Sequence, residues 1–387
     1  MRKIISSVIP ALLLMSCQDS ISLDGIAGGS RMLLYAFPTD ADTIDIRLST
    51  VQPINGSMPQ LDVKCVTCTT NGVSDKVIYA GTTVEKGFPV CLYRAVGSHR
   101  CGDEISIKAS ADGLPDIEAA TRIPQRPAID ASDYSLIYND GELRSQLKLS
   151  FHDLPDVDYY AVRIKGRHVP HSDYVADDTW LGVETSAEPL LNNYSGAKLD
   201  LGTSNDFYHN MYIFDDSSFG NGVATLRMPI TYYYRSLSAY QSYLLALSRE
   251  YYLMLKSLND IGNNDLAQYG LAFAFSSYTN VRGGCGCVAG YAADSTAWQK
   301  KYNLRYVVRC DNPDAYWLVS APDLREYNSG RGSFSHEVIY AEDKVDIQVR
   351  CENDPNAKLY IDIYYEDRLK ATKSGYGFVE VESWLRK

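Results

Sequence analysis

Residues 43–48, Thr43-Ile44-Asp45-Ile46-Arg47-Leu48, alternate polar and apolar side chains without a break. Successive side chains of a strand point to opposite faces, so Ile44, Ile46 and Leu48 share one face while Asp45 and Arg47 share the other. This is the pattern of a strand with one face on a core and one in water. The same period recurs on both sides of it, in RMLLYA (31–36), LDVKCV (61–66), KVIYA (76–80), VCLYRA (90–95) and EISIKAS (104–110). Asn55-Gly56 and Asn71-Gly72 separate the runs, and such dipeptides favour tight turns. Short strands at regular spacing, with no helix-period segment among them, predict a β-sandwich over 31–125. The two prolines of TRIPQRPAID (121–130) suit a semi-rigid boundary after it.

A second unit is expected over 126–300. LRSQLKLSF (143–151) and YYAVRIK (159–165) read as strands joined by the turn-rich HDLPDVD (152–158). From His168 to Ser218 the pattern is irregular and acidic, which reads as an insertion or a set of surface loops. GVATLRMPITYYYR (222–235) returns to strand character. In the next stretch Leu244, Leu247, Tyr251, Leu255 and Leu258 fit a helical period, yet Tyr240 to Leu247 also alternates. The reading adopted is a strand to about Leu247, then one short amphipathic helix capped by Ser248, with Glu250 near its positive end. Residues 301–387 are strand-like again, in YNLRYVVRC, AYWLVSA, KVDIQVRC and KLYIDIYY, with a turn at Glu366-Asp367. A C-terminal sandwich extension follows from them. The fold class is thus mainly β: tandem immunoglobulin-like or fibronectin-like sandwiches, one helix, and an extra C-terminal β-domain.

The N-terminus sets the context. Arg2 and Lys3 precede an apolar run, Ile4 to Met15, of signal-peptide length. It ends in Leu14-Met15-Ser16-Cys17, which resembles a bacterial lipobox, so residues 1–16 read as a lipoprotein signal peptide and 17–30 as an acylated Cys17 with its tether. Acyl chains on Cys17 would hold the chain on a lipid bilayer without a spanning segment. The net charge is −11, and −13 once Arg2 and Lys3 are removed. This argues against nucleic acid and anionic headgroups, which require basic patches.

Eight cysteines follow Cys17: Cys65, Cys68, Cys91 and Cys101 in one cluster, Cys285, Cys287, Cys310 and Cys351 in another. An even number in an exported chain favours disulfides within each cluster, with zinc, redox chemistry and free thiols as alternatives. Cys65 and Cys68, three apart on a strand, face opposite sides and would take different partners, such as Cys91 and Cys101. Cys285 and Cys287 share one face and lie near the limit for a mutual bridge. Cys310 and Cys351 each close a strand with the same VRC spelling, which suits a bridge between them.

No cofactor is expected. Gly284 to Ala289 satisfies a G-x-G-x-x-G/A spelling, but a dinucleotide loop must follow a buried strand and open a helix in a β-α-β unit. Glycine alternating with small residues suits instead a strand against which something packs closely. His168 and His171 with Asp173, Asp177 and Asp178 have loose metal spacing and read as solvated loop residues. Asp40, Asp42 and Asp45 lack an EF-hand spelling. There is no G-x-S-x-G, H-E-x-x-H or phosphate loop, so the chain is not expected to be an enzyme. Tyr232-Tyr233-Tyr234 and Trp180 would serve either as core aromatics or as stacking platforms for a glycan.

Four ordered segments carry a resemblance. EISIKASADGLPDIEAATRIPQRPAID (104–130), LKLSFHDLPDVDYYAVRI (147–164), LALSREYYLMLKSL (245–258) and TNVRGGCGCVAGY (279–291) resemble, with Cys17, the Bacteroidota outer-membrane lipoproteins catalogued as domain-of-unknown-function 4249. Asn280, Gly283, Gly284, Gly286, Gly290 and Tyr291 stand at the positions of that family's glycine-rich signature. Cys285 and Cys287 depart from it, and so does the chain beyond 300. The resemblance implies a lipid-anchored outer-membrane protein of β-sandwich type, on the periplasmic face or the cell surface. It implies a setting similar to that of partners of TonB-dependent transporters. With the lipobox, the tandem sandwiches and the absent catalytic motifs, the expected role is a binding or accessory one beside such a transporter, with a glycan or peptide ligand or an adhesin role as alternatives and a hydrolase behind these. No catalytic residue comes with it.

Overall fold

The computed structural model describes residues 30–51, 61–85, 87–139, 142–168, 178–185, 188–192, 198–199, 210–219, 222–230, 237–262, 277–300, 303–322, 328–338, 340 and 342–385. The expectations for residues 1–16, Cys17 and its tether, Asn55-Gly56, His171, Asp173, Asp177 and Tyr232–Tyr234 lie outside the described residues. Among the described residues no helix is long and apolar enough to cross a membrane.

Alternation builds three layered pairs of sheets. In the first, Met32–Ala36, Thr43–Thr50, Phe88–Val96 and Lys76–Glu85 run side by side in one sheet. Val73–Ser74, Val63–Thr70, Glu104–Ala111 and Ile117–Arg122 form the other. Ile44, Ile46 and Leu48 all point inward, against Ile105, Ile107 and Ile117 from the opposite sheet. Each such side chain removed from water is worth about 1.5–3 kcal/mol, so the alternation over residues 43–48 fixes which face of the sheet is core.

The second pair sets Val223–Pro229, Glu142–His152 and Ile129–Asn139 against a larger sheet. That sheet runs Lys198–Leu199, Met211–Asp215, Tyr159–His168, Leu237–Leu247, Tyr291–Ser295, with Asp178–Trp180 and Gln299–Lys300 added to it. Leu147, Leu149, Phe151, Tyr160, Val162, Ile164 and Phe214 fill the space between. Met211–Asp215 departs from the reading of 168–218 as insertion or surface loops. Its Met-Tyr-Ile-Phe run is buried on both faces, under the helix on one side and in the sandwich core on the other, so it shows no alternation.

The single long helix among the described residues, α1 (Arg249–Gly262), begins where the alternating strand Leu237–Leu247 ends. The Ser248 hydroxyl accepts the Tyr251 N–H at 3.3 Å, the capping bond that satisfies an otherwise orphan donor. Tyr251, Tyr252, Met254 and Leu255 then lie on Ala161, Met211, Ile213, Leu245 and Leu247, the outer face of the larger sheet. The third pair, in 304–384, sets Phe334–Val338, Leu304–Cys310, Lys358–Tyr365 and Arg368–Tyr376 against Asn328–Arg331, Tyr316–Ser320, Lys344–Cys351 and Phe378–Trp384. The expected turn is a tight hairpin in which Glu366 and Asp367 both have positive φ, 48° and 60°.

Candidate functional site

The glycine-rich signature does not lie within the second pair of sheets, where the 126–300 unit had put it. Cys285–Val288 is an edge strand of the first sandwich, parallel to Met32–Ala36 in register from Leu33 opposite Cys285 to Ala36 opposite Val288. Just before it, Arg282 exchanges backbone hydrogen bonds with Glu118, on the edge of the facing sheet, at 2.8 and 3.1 Å. The chain then continues into Tyr291–Ser295, a strand of the second sandwich. One short segment therefore joins both sheets of the first sandwich to the large sheet of the second. The separation of about 250 residues in sequence hides this partner from any local reading.

Each signature residue has a geometric task. A Cβ on Gly286 would stand 2.0 Å from the Leu34 carbonyl oxygen, and its φ of +105° is one that side chains disfavour. A Cβ on Gly283, Gly284 or Gly290 would meet the backbone oxygen of Asp116, Met32 or Arg122 at 2.2, 2.5 and 2.3 Å. The close-packing reading of the glycines rests on these approaches. Asn280 donates from Nδ2 to the Ala120 and Val288 oxygens, at 3.1 and 2.7 Å, and accepts the Val288 N–H at 3.0 Å. The Tyr291 N–H donates to the Pro38 oxygen at 3.0 Å.

All eight described cysteines carry free thiols in this structure. Cys285 and Cys287 face Tyr35, whose phenol is pushed up by burial and by the two thiols beside it. Cys287 is fully buried under α1, and burial, with the Glu250 carboxylate adding to it, pushes its thiol up to about 12. Neither Cys310 nor Cys351 is near this pair, since both belong to the core of the third sandwich. Cys65 is exposed and Cys68 buried, the opposite facing that their spacing predicts. Cys91 and Cys101 take other neighbours, Thr82 Oγ1 at 3.9 Å and Asp40 Oδ2 at 3.7 Å.

A buried grouping that sequence reasoning missed is Cys68, Asp75 and His99. His99 Nε2 lies 3.5 Å from Asp75 Oδ2 and its Nδ1 lies 2.7 Å from the Ala41 oxygen. Burial, together with a hydrogen bond to Asp75, pushes the Cys68 thiol up to about 12. A nucleophilic thiol needs its base adjacent and its thiolate favoured; here the carboxylate is the thiol's neighbour and the thiol is disfavoured from ionising. Among the described residues no group of three or more His, Cys, Asp or Glu side chains is placed to hold a metal. Asp45 and Asp40 are instead committed to ion pairs with Arg94 and Arg126. A groove of about 370 Å³ runs beside the signature, lined by Cys65, Thr67, Lys108, Ser110, Glu118 and Arg282. Its charges face one another, with Glu118 2.9 Å from Lys108 and 3.9 Å from Arg282.

A cluster of cations and aromatic rings lies on the outer face of the larger sheet, past the end of α1. Along Tyr159–His168 the helix covers Tyr159 and Ala161. Period two then sends Arg163, Lys165 and Arg167 to the same face. Tyr243 stands opposite Arg163, Gln241 opposite Lys165, and Trp180 opposite Lys165 on the other flank. The Arg163 guanidinium stacks 3.5 Å from the centre of the Trp180 ring and that of Arg167 3.8 Å from the centre of Trp298. Trp180 meets Tyr243 edge-on at 5.3 Å, and the Tyr243 hydroxyl donates to Gln241 at 2.7 Å. Arg167 also pairs with Asp178 at 2.9 Å. Trp180, Tyr243, Arg167 and Trp298 are half-buried, so the ladder is held by packing while its edges reach solvent. Trp180 was legible in the sequence as a possible platform; the cations around it were not, because their face is set by strand pairing.

Comparison with known proteins bears on the family. Residues 18–297 match the family model described as "Domain of unknown function (DUF4249)", so the third sandwich lies outside the matched segment. No curated protein matches the chain. Among solved structures, the chain is similar to the chicken CNTN1 FN1-FN3 domains at 10% identity and a TM-score of 0.14, over 93% of this chain and 99% of that one. It is similar to a "Biofilm associated protein - BSP domain" at 7% identity and a TM-score of 0.14, over 92% and 91%.

Proposed function

We propose that this chain, which belongs to the DUF4249 family, is a non-catalytic binding component tethered to the outer membrane of a Bacteroidota cell through an acylated Cys17. Its place is beside a TonB-dependent transporter. The lipobox spelling and the ordered motifs support the setting. The observation that carries the binding role is the ladder of Trp180, Arg163, Tyr243, Arg167 and Trp298 on the outer face of the larger sheet, where Arg163 is buried and the others are half-buried. Trp, Tyr and Arg are the residue types that dominate interface hot spots, because they combine large contact area with few rotatable bonds or a planar donor fork. Lys165 and Arg167 reach the surface of the ladder beside Asp178, and their donor groups suit a partner with an acidic surface.

A glycan is the second reading, and Trp180 is what favours it. Sugar stacking needs an open ring face, whereas guanidinium groups already occupy one face of Trp180 and one of Trp298. A protein partner contacting the ring edges and the arginines fits better. Co-purification from detergent-solubilised outer membrane tests the proposal. A β-barrel partner is expected with the wild type, and Trp180→Ala with Arg167→Ala should weaken its capture at least tenfold, as hot-spot truncations do. Recovery of the wild type without a barrel overturns the transporter role. Retardation in a polysaccharide gel that Trp180→Ala abolishes moves the function to glycan binding.

A further inference from the structure

The two cysteines of the third sandwich, Cys310 and Cys351, lie on strands that end at one rim of it. Along Leu304–Cys310 every second residue, Leu304, Tyr306 and Val308, is buried, which turns Cys310 to the same inward face. Along Lys344–Cys351 the inward set is Val345, Ile347, Val349 and Cys351. The two strands lie in opposite sheets. Both end at one rim. The Asp311 N–H donates to the Lys358 oxygen at 3.1 Å and Asp311 Oδ1 accepts the Lys358 N–H at 2.8 Å, which ties the residue after Cys310 to the end of the connection that leaves Cys351. The Glu352 N–H donates to the Tyr316 oxygen at 2.7 Å, and Asn312 donates to Asp354 at 2.7 Å, which laces the same two connections together. Beneath them Cys351 is buried and Cys310 half-buried, both against one core cluster. Trp317, fully buried, is paired in register with Cys351. Burial pushes the Cys310 thiol up, and the neighbouring Cys351 thiol adds to it.

We infer that Cys310 and Cys351 form a disulfide that ties the two sheets of the C-terminal sandwich at this rim. A buried Trp against an inter-sheet bridge is a recurring way to close a sandwich core. Cys287 offers no competing partner, being held under α1 in a separate cluster, and Cys285 sits opposite Leu33 on the edge strand of the first sandwich. The step is thiol–disulfide exchange with a disulfide oxidant. The more accessible Cys310 thiolate attacks an oxidant sulfur, breaking the oxidant S–S bond and forming a mixed disulfide. Cys351 then displaces the second oxidant sulfur as the Sγ–Sγ bond forms. The two cysteine sulfurs lose two electrons and two protons, and the oxidant leaves as two thiols.

The reduced full-length chain, equilibrated in a buffer of oxidised and reduced glutathione, alkylated and digested without reductant, decides the matter by mass spectrometry. The expected product is one cross-linked peptide pair joining Cys310 to Cys351 and lacking two hydrogens. Calorimetry of the same sample should show the transition of the third sandwich falling by roughly 10–20 °C on addition of reductant. The double variant Cys310→Ala with Cys351→Ala should show no such dependence. Alkylation of both thiols at equilibrium in oxidising buffer, or a cross-link from either one to Cys285 or Cys287, overturns the inference.

Discussion

Gly286→Ala is the sharpest perturbation of the junction. The added Cβ would stand 2.0 Å from the Leu34 oxygen, 2.8 Å from its carbonyl carbon and 2.9 Å from its nitrogen. All three are backbone atoms of the adjoining strand, so no side chain can swing aside. Two costs combine. A φ of +105° on a residue with a Cβ is strained by about 1–2 kcal/mol. Relieving the overlap requires the parallel pair Met32–Ala36 and Cys285–Val288 to part, which weakens ladder hydrogen bonds worth about 0.5–1.5 kcal/mol each and loosens the buried Cys287 and Val288. The combined loss is about 3–6 kcal/mol, enough to lower the melting of a unit of this size by at least ~10 °C. Gly113→Ala is the matched control, since its φ of +72° is also unfavourable but nothing lies within 4 Å of its Cβ; it should cost about 1 kcal/mol. Calorimetry reads the transitions, and amide hydrogen exchange of the peptide covering 279–291 locates the damage. If Gly286→Ala melts within about 1 °C of Gly113→Ala and keeps its exchange protection, the close-packing argument for the signature is wrong.

The other expectations concern the same segment and the buried thiols. Asn280→Ala removes three hydrogen bonds to the backbone of residues 120 and 288 and should cost about 2–4 kcal/mol, seen as faster exchange of the Val288 amide. Cys68 and Cys287, with thiols pushed up to about 12, have a thiolate fraction of roughly 10⁻⁴ at pH 8, so pulsed alkylation should label exposed Cys65 long before either. The same shifts give stability a sign against pH. Above an unfolded-state thiol value of about 8.5 the unfolded chain releases protons that the folded chain keeps, so the contribution of each thiol is complete below that value and is lost as pH rises toward 12. The urea midpoint should therefore fall between pH 8 and pH 10.5, and fall less in Cys287→Ala.

The strands and the helix start were legible because their signals are local. Ile44, Ile46 and Leu48 declare their face by alternation, and Ser248 declares the helix by the only polar oxygen at the point where period two stops. Met211–Asp215 was not legible as a strand, because burial on both faces removes the alternation that marks an edge between core and water. Asn280, Gly283, Gly284, Gly286 and Gly290 were recognisable as a close-packed segment, but the identity of what packs on them is a long-range pairing that no window of sequence contains. The cation ladder failed for the same reason. Arg163, Lys165 and Arg167 look like the wet face of any strand until Asp178–Trp180 and Leu237–Leu247 bring two aromatic rings to them.

These two non-local features are mechanically connected. The strand that leaves the signature, Tyr291–Ser295, pairs with Leu237–Leu247 from Leu247 to Tyr243, and Tyr243 is the aromatic that meets Trp180 edge-on. The signature thus anchors one end of the sheet whose other end presents the ladder, with α1 clamped over the join by Cys287, Ala289 and Tyr251. A ladder built on paired strands keeps its side chains in place without ordering a loop, which lowers the entropic cost of gripping a partner. Loosening the signature should therefore weaken partner capture as well as stability, even though Gly286 lies in the first sandwich and touches no part of the ladder. A Gly286→Ala chain that is folded at low temperature but captures its partner less well than Gly113→Ala would show that coupling directly; equal capture by the two would confine the signature to stability alone.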